Sequence, residues 1–278
     1  MSQKLKNIYT FGRRPAQRNY TVADLLALKG SGQRLTMVNP ATETEFRACV
    51  DAGIDLLTVW DVHLDMCREI APTHFAGTAM NWGQFATKDE ILRHAIECME
   101  GGADMYFTNR SFEVVEMLAK EGIPVQVHMG LVPSLSHWAG GLRAFGRTSD
   151  EALRIYETFK QYENAGAIAC EIECVAEDAL NMLNDKTSIV TISLGSGNAG
   201  DVIFLFMADI CGEAENPPRH AHAFRDLGRL HRQMYTERVE ALKEFQADVK
   251  DRKFPYSKQS IQMREGEADK LAEALDAT

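Results

Sequence analysis

Residues 100–130, EGGADMYFTNRSFEVVEMLAKEGIPVQVHMG, contain a complete strand–helix–strand unit. Two short apolar runs, Ala103 to Thr108 and Ile123 to Met129, flank an amphipathic stretch from Phe112 to Lys120, the pattern of parallel strands joined by a packed helix. The same rhythm extends in both directions. Toward the N-terminus, further strands are expected at His74 to Met80, Ile54 to Trp60 and Leu35 to Asn39, with helices at Lys88 to Glu100 and Thr42 to Ala52. Toward the C-terminus lie strands at Ala167 to Glu173 and Ser188 to Leu194 and a weaker eighth at Phe206 to Cys211. Helices are expected there at Asp150 to Asn164 and from about Ala221 to Val249. In DAGIDLL, EGGADMY and NAGAIAC a glycine stands where a helix C-cap calls for a left-handed residue just before the next strand.

Eight βα units in 278 residues match a (β/α)8 TIM barrel, whereas a doubly wound sheet usually stops at five or six strands. The expected fold is therefore α/β, a single barrel domain over residues 31–263. A helical lead-in over 1–30 includes an N-terminal helix near Val22 to Leu28, and a C-terminal helical tail occupies 264–278, with Leu271 and Leu275 four residues apart. No Pro-, Gly- or Ser-rich stretch reads as an interdomain linker.

Composition narrows the function. Forty acidic against thirty basic residues give a net charge of -10, which would repel a phosphate backbone, and no basic patch is segregated, so no nucleic acid partner is expected. No apolar run is long enough to span a bilayer and the first thirty residues lack a signal peptide's apolar stretch, so a cytoplasmic protein without a membrane partner is expected. Cys49, Cys67, Cys98, Cys170, Cys174 and Cys211 form no CxxC pair and read as reduced core thiols.

In a barrel the chemistry sits at the C-terminal ends of the strands, so polar residues closing apolar runs are the candidates. They are Asp61, Asn109, His128, Glu173 and the turn Gly195-Ser196-Gly197-Asn198. Glu173, in AIACEIECV, combines an apolar strand with a strand-end position and suits proton abstraction beside a carbonyl. Glu171 points to the same side of the strand, so periodicity does not separate the two, and either could instead pair with a cation across the barrel mouth. Asp61 could ligate Mg²⁺ or make a cap or loop hydrogen bond. His128 could polarise a substrate carbonyl or be a satisfied core histidine. The Gly195–Gly197 turn could hold an anion on its amides. His220 and His222 have an HxH spacing that a surface loop explains equally well.

The stretches HMGLVPSLSHWAGGLRAFGRT, IECV and GSGNAGDVIFLFMADICG, in that order, resemble the ketopantoate hydroxymethyltransferase family of the phosphoenolpyruvate mutase/isocitrate lyase superfamily. The resemblance runs from about Leu35 to Met263. It implies a (β/α)8 barrel that transfers a one-carbon unit from 5,10-methylenetetrahydrofolate to the enolate of 3-methyl-2-oxobutanoate, in pantothenate biosynthesis. It also implies Mg²⁺ to hold the 2-oxo acid and assembly into a homo-oligomer. On this resemblance the catalytic glutamate falls on Glu173, the conserved histidine on His128 and one metal aspartate on Asp61.

Several positions depart from the family pattern. Trp60-Asp61-Val62 replaces a Gly-Asp-Ser turn, so a ring enters the pocket and a hydroxyl leaves. The second metal aspartate falls near Ala79, or at Asn81 if a local gap intervenes, and a lysine and a glutamate are replaced by Phe107 and Asn109. With Trp60, Asn109 and the Gly195-Ser196-Gly197 turn as substrate-binding residues, two alternatives stand beside the family activity: an aldol-type lyase or transferase acting on a different 2-oxo acid, and a non-catalytic small-acid binder.

Overall fold

The computed structural model describes residues 4–79 and 84–277. Eight parallel strands close into a barrel: β3 (Leu35–Asn39), β4 (Leu56–Trp60), β5 (Phe75–Ala79), β6 (Met105–Phe107), β7 (Val125–Gly130), β8 (Ala169–Glu173), β9 (Val190–Leu194) and β10 (Val202–Phe206), with β10 pairing back onto β3. An antiparallel hairpin, β1 (Lys6–Tyr9) with β2 (Pro15–Arg18), precedes α1 (Val22–Leu26). The barrel's helices are α2 (Glu43–Ala52), α3 (Leu64–Ile70), α4 (Lys88–Glu100), α5 (Phe112–Lys120), α6 (Ser149–Asn164), α7 (Glu177–Leu183) and α8 (Met207–Cys211).

Helix starts are written into the sequence as Thr-x-x-Glu. Thr42 and Thr87 accept from the backbone N–H of Glu45 and Glu90, whose carboxylates accept from the cap backbone in return. Thr148 caps α6 through Glu151 N–H in the same way, while the Glu151 carboxylate accepts from Arg147 N–H. The glycines expected at the helix ends take left-handed φ angles: +70° at Gly53, +100° at Gly102 and +88° at Gly166.

Two corrections concern the strands. The eighth is Val202–Phe206 and not Phe206 to Cys211, which instead forms α8, closed by left-handed Gly212. VIFLF carries the β-branched and aromatic residues suited to a buried strand, whereas MADIC suits a helical turn. The lead-in contains the β1–β2 hairpin besides its short helix. Met80, at the end of one expected strand, and Asn81 lie outside the described residues.

The chain forms two compact units, Met1–Arg225, which contains the whole barrel, and Asp226–Thr278. The second unit contains α9 (Leu227–Lys250) and the tail helix α10 (Glu267–Asp276). No described helix is long and apolar enough to cross a membrane.

All six cysteines are free thiols, and Cys49, Cys67, Cys98 and Cys170 are buried. Burial pushes the Cys49 thiol up to about 12 and the Cys98 thiol to about 11, so neither is a nucleophile at neutral pH.

The outer ring is fastened to the barrel by Glu163, in the last turn of α6. Its carboxylate accepts from Lys160 Nζ at 2.7 Å, from Thr187 Oγ1 at 2.6 Å and from Ser188 N–H just ahead of β9. Burial would raise this carboxyl, but the hydrogen bonds from Lys160, Thr187 and Ser188 outweigh it and hold the group at about 2. The folded-state value is depressed, so the stabilisation is present above the ordinary carboxylate value and is lost as pH falls toward 2. Glu163→Gln should lower unfolding free energy at pH 7 by about 1–3 kcal/mol, and the gap from the parent should narrow in acid. Urea unfolding at pH 7 and pH 3 checks this; equal midpoints at pH 7 would remove Glu163 from the packing account.

Candidate active site at the barrel mouth

Register brings the central residues together. On β7 and β8, His128 is paired with Glu171 and Gly130 with Glu173, and alternate residues of a strand share a face. His128 Nε2 lies 3.0 Å from Glu173 Oε2 and 3.6 Å from Glu171 Oε1. All three are less than a tenth exposed. Among the described residues, they are the one group of three His, Cys, Asp or Glu side chains whose ligand atoms lie within 4.8 Å of one another. Gly130 permits the close approach of the two strands. It has φ +83°, and a Cβ there would lie 2.2 Å from the Glu173 carbonyl oxygen.

Two buried carboxyls face one imidazole, so charge must be shared. Burial alone would lower the His128 pKa, but the hydrogen bond to Glu173 and the charges of Glu171 and Glu173 outweigh it and raise the value; a backbone hydrogen bond at Leu131 adds to this. Burial raises the Glu171 carboxyl, His128 opposes that shift and Glu173 reinforces it. The cluster thus places His128 in contact with Glu173, beside a Glu171 carboxyl whose pKa burial pushes up.

A cavity opens next to this cluster. Trp60, Phe107, Phe204 and Phe206 supply its aromatic lining, Asn39, Thr58 and Val59 also line it, and among the described residues Glu171 is its one ionisable lining residue. The Phe107 ring also packs on His128, with centroids 5.7 Å apart. Trp60 is 46% exposed where it lines the cavity.

Asp61 sits apart from the cluster. It begins a short 3-10 turn after β4, where its Oδ1 accepts from Val62 N–H at 2.9 Å and its Oδ2 lies 3.0 Å from His94 Nε2. His94 in turn contacts the Tyr106 hydroxyl at 2.9 Å, so the aspartate is anchored on both oxygens. Asn109 lies beyond β6 with its amide 3.4 Å from Ser134 Oγ, away from the cavity lining. The loop hydrogen bond weighed for Asp61 is present.

The glycine turn after β9 is already filled. A Cβ at Gly195 would meet the His220 ring at 2.7 Å, and one at Gly197 would meet Glu177 Cγ at 2.4 Å. Ser196 is fully buried; its hydroxyl accepts from Val175 N–H and donates to the Ile172 carbonyl, both at 2.8 Å. The Glu177 carboxylate also takes up the Asn198 N–H at the end of this turn. The turn braces the end of β8. His220 contacts Cys174 Sγ at 3.5 Å and His222 stacks edge-on against Phe224, so HxH spacing does not aim the two rings at a common point.

Asn39, Phe204 and Phe206 were not among the expected site residues. Asn39 closes the apolar run LTMVN, and a strand-end search applied to that first run would have found it. The two phenylalanines fall on the strand that sequence reading misplaced.

At the opposite, N-terminal end of the strands lies a second cleft lined by Lys29, Arg34, Asn184 and Asp201. Lys29 is already paired there with Asp201 at 2.7 Å.

The sequence model of a family described as ketopantoate hydroxymethyltransferase matches residues 62–257. The chain is 29% identical over 287 aligned positions to the 3-methyl-2-oxobutanoate hydroxymethyltransferase of Deinococcus radiodurans, covering 92% of this chain and 99% of the relative. It is 28% identical to the enzyme of that name from Ignicoccus hospitalis, covering 86% and 97% respectively. Among solved structures, 2,3-dimethylmalate lyase, a PEP mutase/isocitrate lyase superfamily member, shares the fold at a TM-score of 0.51 and 11% identity, over 98% of this chain and all of that one.

Proposed function

The chain belongs to the ketopantoate hydroxymethyltransferase family, and we propose that its barrel mouth transfers a hydroxymethyl group to 3-methyl-2-oxobutanoate, with Glu173 as base and His128 as its partner. The observation that carries the residue roles is the 3.0 Å contact of His128 Nε2 with Glu173 Oε2 at the C-terminal end of the strands. An ionised Glu173 beside a cationic imidazole can take the C3 proton of the oxo acid. The C–H electron pair then forms the C2–C3 double bond and the carbonyl oxygen becomes the enolate oxygen. Carbon C3 attacks the methylene carbon of 5,10-methylenetetrahydrofolate, breaking the first of its two C–N bonds as the new C–C bond forms. Water then breaks the second C–N bond and supplies the product hydroxyl, and the two freed folate nitrogens take up the C3 proton from Glu173 and a proton from water. The same family likeness carries the proposals of a homo-oligomer and a cytoplasmic setting.

Mg²⁺, which the family likeness implies, finds a poor ligand set at the positions expected for it among the described residues. Both Asp61 oxygens are engaged by His94 and Val62 N–H. Ala79 and Phe107, register partners at the ends of β5 and β6, offer no ligand, and Asn109 is turned to Ser134. Calorimetry of the ligand-free protein should therefore show little heat at sub-millimolar Mg²⁺. Tight stoichiometric binding would contradict this assignment of Asp61.

The function itself is tested in D₂O, following loss of the C3 proton of 3-methyl-2-oxobutanoate by NMR, and then ketopantoate formation once methylenetetrahydrofolate is added. Retention of the C3 proton under all conditions would refute the reading. Trp60 and the phenylalanines favour an acid with a branched apolar chain, which the isopropyl group supplies.

A further inference from the structure

We propose that this chain stabilises its enolate by a hydrogen bond donated from the Glu171 carboxyl to the enolate oxygen, in the place where relatives with a fuller acidic set would use a cation. The inference rests on the proposed function. An enolate formed in an apolar cavity needs an electrophile at its oxygen, because developing charge there is costly without a fixed donor. Asp61 is not among the residues lining the cavity, and its two oxygens are turned to His94 and the backbone of Val62.

Glu171 is placed for the task. Among the described residues it is the one ionisable side chain lining the cavity, and the others there are aromatic or neutral, among them Trp60, Phe107, Phe204, Phe206, Thr58 and Asn39. The ionisable groups near it are His128 on β7 and Glu173 on its own strand, while its register neighbour on β9 is Ile192. His128 is closer to Glu173, at 3.0 Å against 3.6 Å, so the imidazolium is committed to the base. That leaves Glu171 without a cation of its own, and two carboxylates this close cannot both stay ionised cheaply. A carboxylic acid kept neutral by an apolar site is a strong hydrogen-bond donor, a role known for buried carboxyls in enolising enzymes. The two carboxyls divide the work. Glu173 accepts the C3 proton, Glu171 donates a hydrogen bond without losing its own, and no charge or redox partner is left over.

The test combines two variants, a chelator and a spectrum. In the D₂O assay, Glu171→Leu should slow exchange about a hundred-fold or more, whereas Glu171→Gln, which keeps an N–H donor, should stay within about tenfold of the parent. The parent should exchange at the same rate in EDTA as in Mg²⁺ or Mn²⁺. Infrared difference spectra of ligand-free parent and Glu171→Gln should show a protonated-carboxyl band present in the parent and missing from the variant, a readout that needs no turnover. Exchange abolished by EDTA and restored by Mn²⁺ would overturn the proposal, as would a Gln variant as slow as the Leu variant or the absence of that band. No exchange in the parent even with metal would instead overturn the proposed function, and this inference with it.

Discussion

Glu173→Gln is expected to slow C3 proton exchange about a hundred- to ten-thousand-fold while leaving the fold and the binding of the oxo acid intact. The amide preserves the shape of the side chain and a hydrogen bond to His128, so the loss reports basicity and not packing. Its location supports this expectation. The residue ends β8, is nine-tenths buried and lies 3.0 Å from an imidazole whose pKa is raised by its two carboxyl neighbours. Glu171→Gln is the matched comparison, because it alters the same face two residues away and should cost far less. Equal rates in the Glu173 variant and the parent would remove the base assignment, and a reversed order of the two variants would move it to Glu171.

The contrast between the two glutamates also shows what the sequence could and could not settle. Strand alternation places both on the inner face, and strand-end position selects Glu173 for the chemistry. Neither rule says which carboxyl lines the cavity, because that depends on Trp60 from β4, Phe107 from β6, and Phe204 and Phe206 from β10. The barrel itself was legible because an apolar run followed by an amphipathic stretch recurs along the chain, with a glycine after α2, α4 and α6 marking where the next strand begins. The eighth strand was misplaced because VIFLFMADIC is apolar but for Asp209, and period alone cannot separate a five-residue strand from the helical turn after it.

Two site expectations depended on contacts far away in sequence. The glycine turn reads as an anion cradle until Glu177 and His220, distant along the chain, are seen to occupy it. The His94 contact on the Asp61 carboxylate likewise comes from α4, 33 residues away, and has no signature near Asp61 in the sequence. Side chains that fill a loop or spend an acceptor leave no periodic trace. A motif can therefore keep its residues while its space is put to another use.

The opposite end of the barrel carries the other large expected effect. Asp104, just before β6, accepts from Arg18 Nε at 2.9 Å on both oxygens, from Arg68 Nη2 at 2.8 Å and from Ala76 N–H at 3.0 Å. Arg18 also donates to the carbonyls of Pro72 and Gly102, and Arg68 to those of His74 and Gly102, so one carboxylate ties the β1–β2 hairpin to the N-terminal ends of β5 and β6. The Arg18 side chain is 3% exposed. Asp104→Ala would leave two guanidinium groups largely buried without a counter-ion, and unfolding free energy should fall by about 3–5 kcal/mol. Arg18→Met should cost less, because it removes one cation, fills the space with an apolar chain and leaves the Asp104–Arg68 pair intact. Denaturant midpoints for the three proteins check this order. Proton exchange per folded molecule should be unchanged in both variants, since chemistry in this fold belongs to the opposite face. A variant that kept its stability but lost exchange would place the chemistry at the wrong end of the barrel.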